Sequence, residues 1–327
     1  MNQHSDNKDN HTGFKKGWEK KASSLENHDV ERIVSAVYPN QYLSYYLPTQ
    51  GCANILICVK LKTGVIKVLR VYARDAATPE VEKAVLDRVA GVLPVPKISQ
   101  IMSVDGYQVA ECDYIQGERL SDVLLDLPVL DLKRLMHDLG KSLGAISQWG
   151  YGKAGIIDAQ HHIVQSLDYQ NFADETLSSL KAKKRLSQSM ISSWETVFQQ
   201  LSAYFPMPHE DRLVHGDFDP ANILVIQKDT KWAISGILDW EFAHAGSPMQ
   251  DIASMLRDRE RLPAEYAEGF LEGVRQSLNI PDHWEITVNV CNALALLDCL
   301  NRTHPVDQPN RLSDILARLS RLYDQLS

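Results

Sequence analysis

Leu213-Val214-His215-Gly216-Asp217-Phe218-Asp219-Pro220-Ala221-Asn222-Ile223-Leu224-Val225, followed by Ile237-Leu238-Asp239-Trp240-Glu241, decides the reading of this chain. Ile223 to Ile226 is an apolar run, Lys228-Asp229-Thr230 is a turn, and Trp232 to Leu238 returns. The segment therefore predicts a small hairpin preceded by a tight, proline-containing loop. Asp217 and Asn222 stand five residues apart across that loop and can aim at one point. Asp239, at the end of the second strand, can return to the same place. Phosphoryl transfer needs such a set: one carboxylate to accept a hydroxyl proton, and further oxygen ligands to hold Mg²⁺ on the phosphates. A polar turn beside a buried hairpin is the plainer explanation, but it leaves three polar groups next to apolar strands without a purpose.

Outward from the hairpin the text is helical. Leu130 to Trp149, Gln188 to Tyr204, Pro263 to Leu278, Pro281 to Arg302 and Arg311 to Leu326 carry apolar residues at 3.6 spacing. Before Ile115-Gln116-Gly117 its character changes. Ile55 to Val59 and Val65 to Tyr72 read as strands joined through Lys62-Thr63-Gly64, and Ile98–Val104 and Gln108–Cys112 as two more, turned by Asp105-Gly106. Pro79 opens a helix over Glu80 to Val89, and a shorter one fits Val30 to Val37. Residues 1–27 are polar and predict a flexible tail. The expected organisation is α+β and bilobal: an antiparallel-sheet lobe over 28–115, a hinge near Asp113–Gly117, and a mainly helical lobe over 116–327. Ligand sites favour such clefts between lobes.

Composition narrows the function classes. The 327 residues carry 34 Lys+Arg against 42 Asp+Glu, a formal charge of -8, which argues against a nucleic-acid binder working by phosphate neutralisation. No apolar run approaches a membrane span and the N-terminus lacks an apolar signal core, so no membrane partner and a cytoplasmic location are expected. The five cysteines, Cys52, Cys58, Cys112, Cys291 and Cys299, are never spaced C-x-x-C and read as reduced thiols.

H-x-D-x-x-x-x-N is the spacing of a kinase catalytic loop, with a downstream aspartate holding metal. With H-G-D-x-x-x-x-N and then L-D-W-E, the chain resembles the aminoglycoside phosphotransferase and choline kinase-like branch of the protein-kinase-like fold over most of residues 35–275. Gly216 stands where regulated protein kinases carry an arginine that anchors a phosphorylated activation loop, so the resemblance implies no such control. It implies ATP and Mg²⁺ as cofactors, Asp217 as catalytic base, and Asn222 and Asp239 as metal ligands. It further implies that Gly51 and Asn54 sit in a short loop over the phosphates, and that Val109 to Gly117, with Asp113, forms the adenine-binding hinge of a nucleotide-binding lobe. Val68-Leu69-Arg70 resembles the strand whose cation grips the α- and β-phosphates, and Glu82 the helix glutamate that pairs with that cation. Alternation puts Ile66, Val68, Arg70 and Tyr72 on one face, with Val68 toward adenine; a shifted register would make Lys67 the binder instead. Asp251 matches a family aspartate that braces the catalytic loop, and His215 a hydrogen-bonded residue inside it.

The implied function is Mg-ATP-dependent phosphorylation of a hydroxyl on a small, cationic molecule such as an aminoglycoside, amino-sugar or amino-alcohol. Asp219 either faces that cation or caps the turn before Pro220. Glu241, Asp258, Glu268 and Glu272 either extend an acidic pocket or are surface helix charges. An ATP-binding pseudokinase-like regulator is the alternative, and a protein kinase a third, lowered by the missing H-R-D, D-F-G and A-P-E strings. Neither acceptor identity nor oligomeric state can be read. Gly150-Tyr151-Gly152-Lys153-Ala154-Gly155 matches a dinucleotide fingerprint but follows a helix instead of a strand, so it reads as a helix-ending loop. His161-His162 has no third ligand at zinc spacing.

Overall fold

A computed structural model describes residues 25–48, 54–72 and 79–327. Gly51 and most of the expected polar tail lie outside the described residues. Helix α1 (Asn27–Val37) leads into strands β1 (Tyr42–Tyr46), β2 (Ile55–Leu61) and β3 (Ile66–Tyr72); helix α2 (Pro79–Val89) precedes β4 (Ile98–Val104) and β5 (Tyr107–Asp113). The five strands form one antiparallel sheet in the order β1-β2-β3-β5-β4.

Period-2 alternation sorts this sheet into two faces. Ile57, Val59, Leu69, Val71 and Val109 pack with Val30, Ile33 and Val34 of α1, and Leu25 joins them. Tyr72, Ala110 and Cys112 belong to the other face, with Val85, Leu86 and Val89 of α2. The expectation that Val68, Arg70 and Tyr72 share a side therefore holds, and that side is turned toward the rest of the molecule.

The remainder is mainly helical. β6 (Glu118–Arg119) and the short α3 (Leu120–Val123) lead to α4 (Val129–Ile146), β7 (Gly155–Ile157), β8 (Ile163–Ser166), α5 (Tyr169–Ala182) and α6 (Gln188–Gln200). Then come β9 (Arg212–Val214), the hairpin β10 (Ile223–Lys228) and β11 (Lys231–Ile237), β12 (His244–Gly246) and α7 (Met249–Leu256). Helices α8 (Ala264–Ser277), α9 (Trp284–Arg302) and α10 (Pro309–Leu326) close the chain. The five expected helices are present, with ends moved by a few residues. Strand β1, helices α5 and α7 and the small β7–β8 pair are additions that periodicity did not supply. α4 and α8 approach so closely that a Cβ on Gly273 would overlap the His137 carbonyl oxygen. The Gly150–Gly155 stretch is a loop after α4 that ends in β7, with the Asp211 carboxylate accepting from the Tyr151 N–H at 2.9 Å. Among the described residues no helix is long and apolar enough to cross a membrane.

Candidate active site

The loop between β9 and β10 is built around a buried histidine. The His215 backbone N–H donates to Asp251 Oδ2 at 2.8 Å and that of Gly216 to Oδ1 at 2.9 Å, so Asp251 on α7 clamps two successive peptides. The His215 ring receives the Asp217 N–H on Nδ1 at 3.2 Å, and its Nε2–H donates to the Leu238 carbonyl at 2.9 Å. Burial lowers the His215 pKa, so the ring is a neutral structural tie between the loop and the end of β11. Trp240 packs against it at 4.5 Å between ring centroids. Burial also lifts Asp251 to about 7, against the pull of the two peptide N–H groups.

Gly216 has φ +83°, and a Cβ there would overlap the Phe242 carbonyl oxygen. Two requirements, left-handed backbone and close approach, thus fix glycine where an H-R-D loop has arginine. Asp219 caps the one-turn 3₁₀ helix Pro220–Asn222 by accepting from the Ala221 N–H at 2.9 Å, and it is buried, away from the cleft. Of its two sequence readings, the structure selects the cap.

Asp217, Asn222 and Asp239 do converge. The Asn222 amide donates to the Asp217 carbonyl at 2.8 Å and to its carboxylate at 3.0 Å, which turns the Asn222 side-chain oxygen away from Asp217. The Leu238 N–H donates to the Asn222 carbonyl at 2.8 Å and brings the end of β11 alongside. Asp239 follows with φ +66°, a left-handed conformation that a short polar residue tolerates better than most.

Across the cleft, Arg70 donates to Asp239 at 2.5 Å, lies 3.3 Å from Glu82 and 3.7 Å from Glu241. Tyr72 donates to Glu82 at 2.6 Å. Burial opposes the charge on Arg70, yet Asp239 and Glu82 hold its pKa above the ordinary range; burial raises Glu82, and Arg70 restrains it. Asn54 donates to Glu241 at 2.9 Å, tying the start of β2 to the same cluster. One guanidinium therefore meets three carboxylates. Lys67, on the opposite face, pairs with Asp113 at 2.8 Å and Glu111 at 3.6 Å and does not enter this cluster. Val68 lines the cleft. Asp113 reaches the cleft edge, but its N–H already donates to the Lys97 carbonyl at 3.0 Å and cannot serve a ligand.

The cleft encloses about 1220 Å³ and runs from β3 and the β5 end, past Asp217, to α5, α7 and α9. The acids named for a cationic pocket are engaged elsewhere. Glu241 belongs to the Arg70 cluster. Asp258 is buried against Arg318, with contacts of 2.8 and 2.7 Å, and Glu268 and Glu272 are exposed near Lys133. Sequence reading missed Tyr72 as the partner of Glu82, Glu241 as the anchor of Asn54, and Arg257 and Arg302 in the far wall. The first had a signal, its place on the Arg70 face; the rest depend on contacts between distant segments. Among the described residues no three of His, Cys, Asp or Glu stand together as a metal-binding group.

The model of the phosphotransferase enzyme family matches residues 59–285 of this chain. A comparison with curated proteins returns no match. Among solved structures, aminoglycoside phosphotransferase APH(4)-Ia is similar with a TM-score of 0.71 and 16% identity, over 92% of this chain and 100% of that one. The GDP and kanamycin complex of APH(2")-IIia gives 0.72 and 18%, over 92% and 99%. A ternary complex of a thermostable mutant of APH(4)-Ia with AMP-PNP and hygromycin B gives 0.68 and 17%, over 90% and 97%. At these identities the likeness is one of fold: an α+β, bilobal, kinase-like architecture with an antiparallel-sheet N-terminal region and a helical C-terminal region.

Proposed function

This chain belongs to the phosphotransferase enzyme family, and from that premise we propose that it transfers the γ-phosphoryl group of Mg-ATP to a hydroxyl of a small molecule. The observation that carries the reading is the convergence of three carboxylates on Arg70, among the described residues, beside Asn222 and Asp217. Three carboxylates around Arg70 would repel a polyphosphate, and a divalent cation removes that repulsion. Asp239 and the outward-turned oxygen of Asn222 suit Mg²⁺, which takes few protein ligands and completes its shell with phosphate oxygens and water. When bound, the metal neutralises charge on the β- and γ-phosphates.

The chain's own residues then divide the work. Asp217 accepts the acceptor's hydroxyl proton as the new O–P bond forms and the bond to the leaving ADP breaks. Its carboxylate is fixed by the Asn222 amide, and its backbone by the His215–Asp251 clamp. Arg70, held by Glu82, grips the α- and β-phosphates, Val68 packs on adenine, and the Asp113 carbonyl belongs to the hinge. Asn54, anchored on Glu241, belongs to the phosphate end of the site, and Gly51 is assigned to the same role by resemblance. Positioning and charge neutralisation supply most of the acceleration in such a site. Kanamycin and hygromycin B belong in an acceptor panel because structural neighbours hold them.

Nucleotide binding tests this reading. AMP-PNP, with GDP as a second probe, should raise the melting temperature only when Mg²⁺ is present, and Asp239→Asn should remove the metal dependence. Binding that ignores Mg²⁺ in both proteins would contradict the metal assignment. Mg²⁺-dependent binding with no transfer to any acceptor would favour the regulatory alternative.

A further inference from the structure

The far end of the cleft carries positive charge where a cationic acceptor needs negative charge, and we infer that the acceptor is a hydroxyl compound bearing a carboxylate or phosphate group recognised by Arg257. This rests on the phosphotransferase reading and replaces the cationic acceptor expected from resemblance.

Arg257, at the end of α7, is half-buried in the cleft wall. Its Nε–H donates to Asn292 Oδ1 at 2.9 Å and Nη2 to Ser254 Oγ at 3.3 Å. Both partners are buried and neutral, so they fix the plane of the guanidinium without cancelling its charge. Two of its five donors are used, and among the described residues the other three have no partner. A purely structural arginine explains the Asn292 bond; it does not explain an uncompensated charge with three open donors in a ligand-sized cleft. A planar fork of donors matches the paired oxygens of a carboxylate or phosphate.

The carboxylates nearby do not reverse this balance. One face of α9 runs along the cleft through Cys291, Ala295, Asp298 and Arg302. Asp298 is held by Arg302 at 2.6 Å. Arg302 lines the same cleft as Asp217, and its charge is answered by Asp298. Among the described residues along this α9 face, Asp298 is committed to Arg302 and Asp217 is reserved for the hydroxyl; Glu118 and Asp122, which also line the cleft, belong to β6 and α3. The acceptor would place its hydroxyl at Asp217 and its anionic group at Arg257.

Titration calorimetry on the full chain tests the inference. Mg-AMP-PNP is titrated first; failure to bind would count against the phosphotransferase reading and not against the charge argument. With that nucleotide in place, four probe sets follow: hydroxy acids, sugar monophosphates, neutral sugars, and kanamycin with hygromycin B. One anionic set should bind, and the two anionic arms separate carboxylate from phosphate recognition. Arg257→Gln should weaken that binding roughly 10- to 100-fold, leave nucleotide affinity unchanged, and be partly rescued by Arg257→Lys. Should Arg257→Gln not fold, the conservative Arg257→Lys carries the test, with a smaller loss expected from its single-point charge. Stronger binding of aminoglycosides than of anions, no binding of either anionic set, or anion affinity within about twofold of wild type in the Arg257 variants would each overturn the inference.

Discussion

The two ends of the cleft solve opposite electrostatic problems. At the nucleotide end, Arg70 stands among Glu82, Asp239 and Glu241, one guanidinium facing three carboxylates among the described residues. At the far end, Arg257 is held by neutral oxygens and keeps its charge. The first end waits for a cation and the second for an anion. Between them stands Asp217, on a loop tied down by His215 and Asp251. A single guanidinium therefore has different meanings in the two places, set by its partners and not by its residue type.

Removing the cation at each candidate position sharpens that contrast. Arg70→Ala leaves three carboxylates crowded at a buried site, and the loss of one partner of a buried ionic cluster costs about 3–5 kcal/mol. A urea titration should show that loss, and nucleotide affinity should fall with it. Lys67→Ala removes a more exposed pair with Asp113, worth at most about 1 kcal/mol, and should leave nucleotide affinity within about twofold. If the two variants behaved alike, Arg70 would not be the distinctive cation of the cleft.

A pH-dependent effect concerns the loop between the two ends. The folded-state pKa of Asp251 is raised from 3.8 to about 7, so the native state binds a proton more tightly than the unfolded chain. That contribution to stability is complete below about pH 4 and is lost as pH rises toward 7. The difference in unfolding free energy between wild type and Asp251→Asn should therefore change across this window and level off above it. A difference that stays flat from pH 4 to 7 would mean that Asp251 is ionised throughout.

What sequence reading recovered also divides along the cleft. Asp217, Asn222 and Asp239 are close in the chain, and a hairpin brings them together whatever surrounds it. Arg70 and Glu82 needed only strand alternation and a family resemblance. The Asn54–Glu241 bond joins residues 187 positions apart, and no local pattern announces it. Asp258 looked like a candidate for the acceptor pocket until its partner, Arg318, was seen 60 residues away. Asp219 could not be decided from its neighbours, because a cap and an exposed ligand share the same sequence; burial separates them. The far wall was unreadable for the same reason. α5, α7 and α9 contribute their residues through packing, and Arg257 gains its meaning from Asn292 on another helix.

The most direct measurement is transfer of labelled γ-phosphate from Mg-ATP to the best-binding acceptor, with wild type beside Asp217→Asn. General-base assistance is worth about 10²- to 10⁴-fold, so the variant should lose at least a hundredfold in turnover while its affinity for AMP-PNP stays within about twofold. Turnover equal to wild type in Asp217→Asn, with the phosphorylated product identified, would contradict the assignment of the base and with it the account of the cleft.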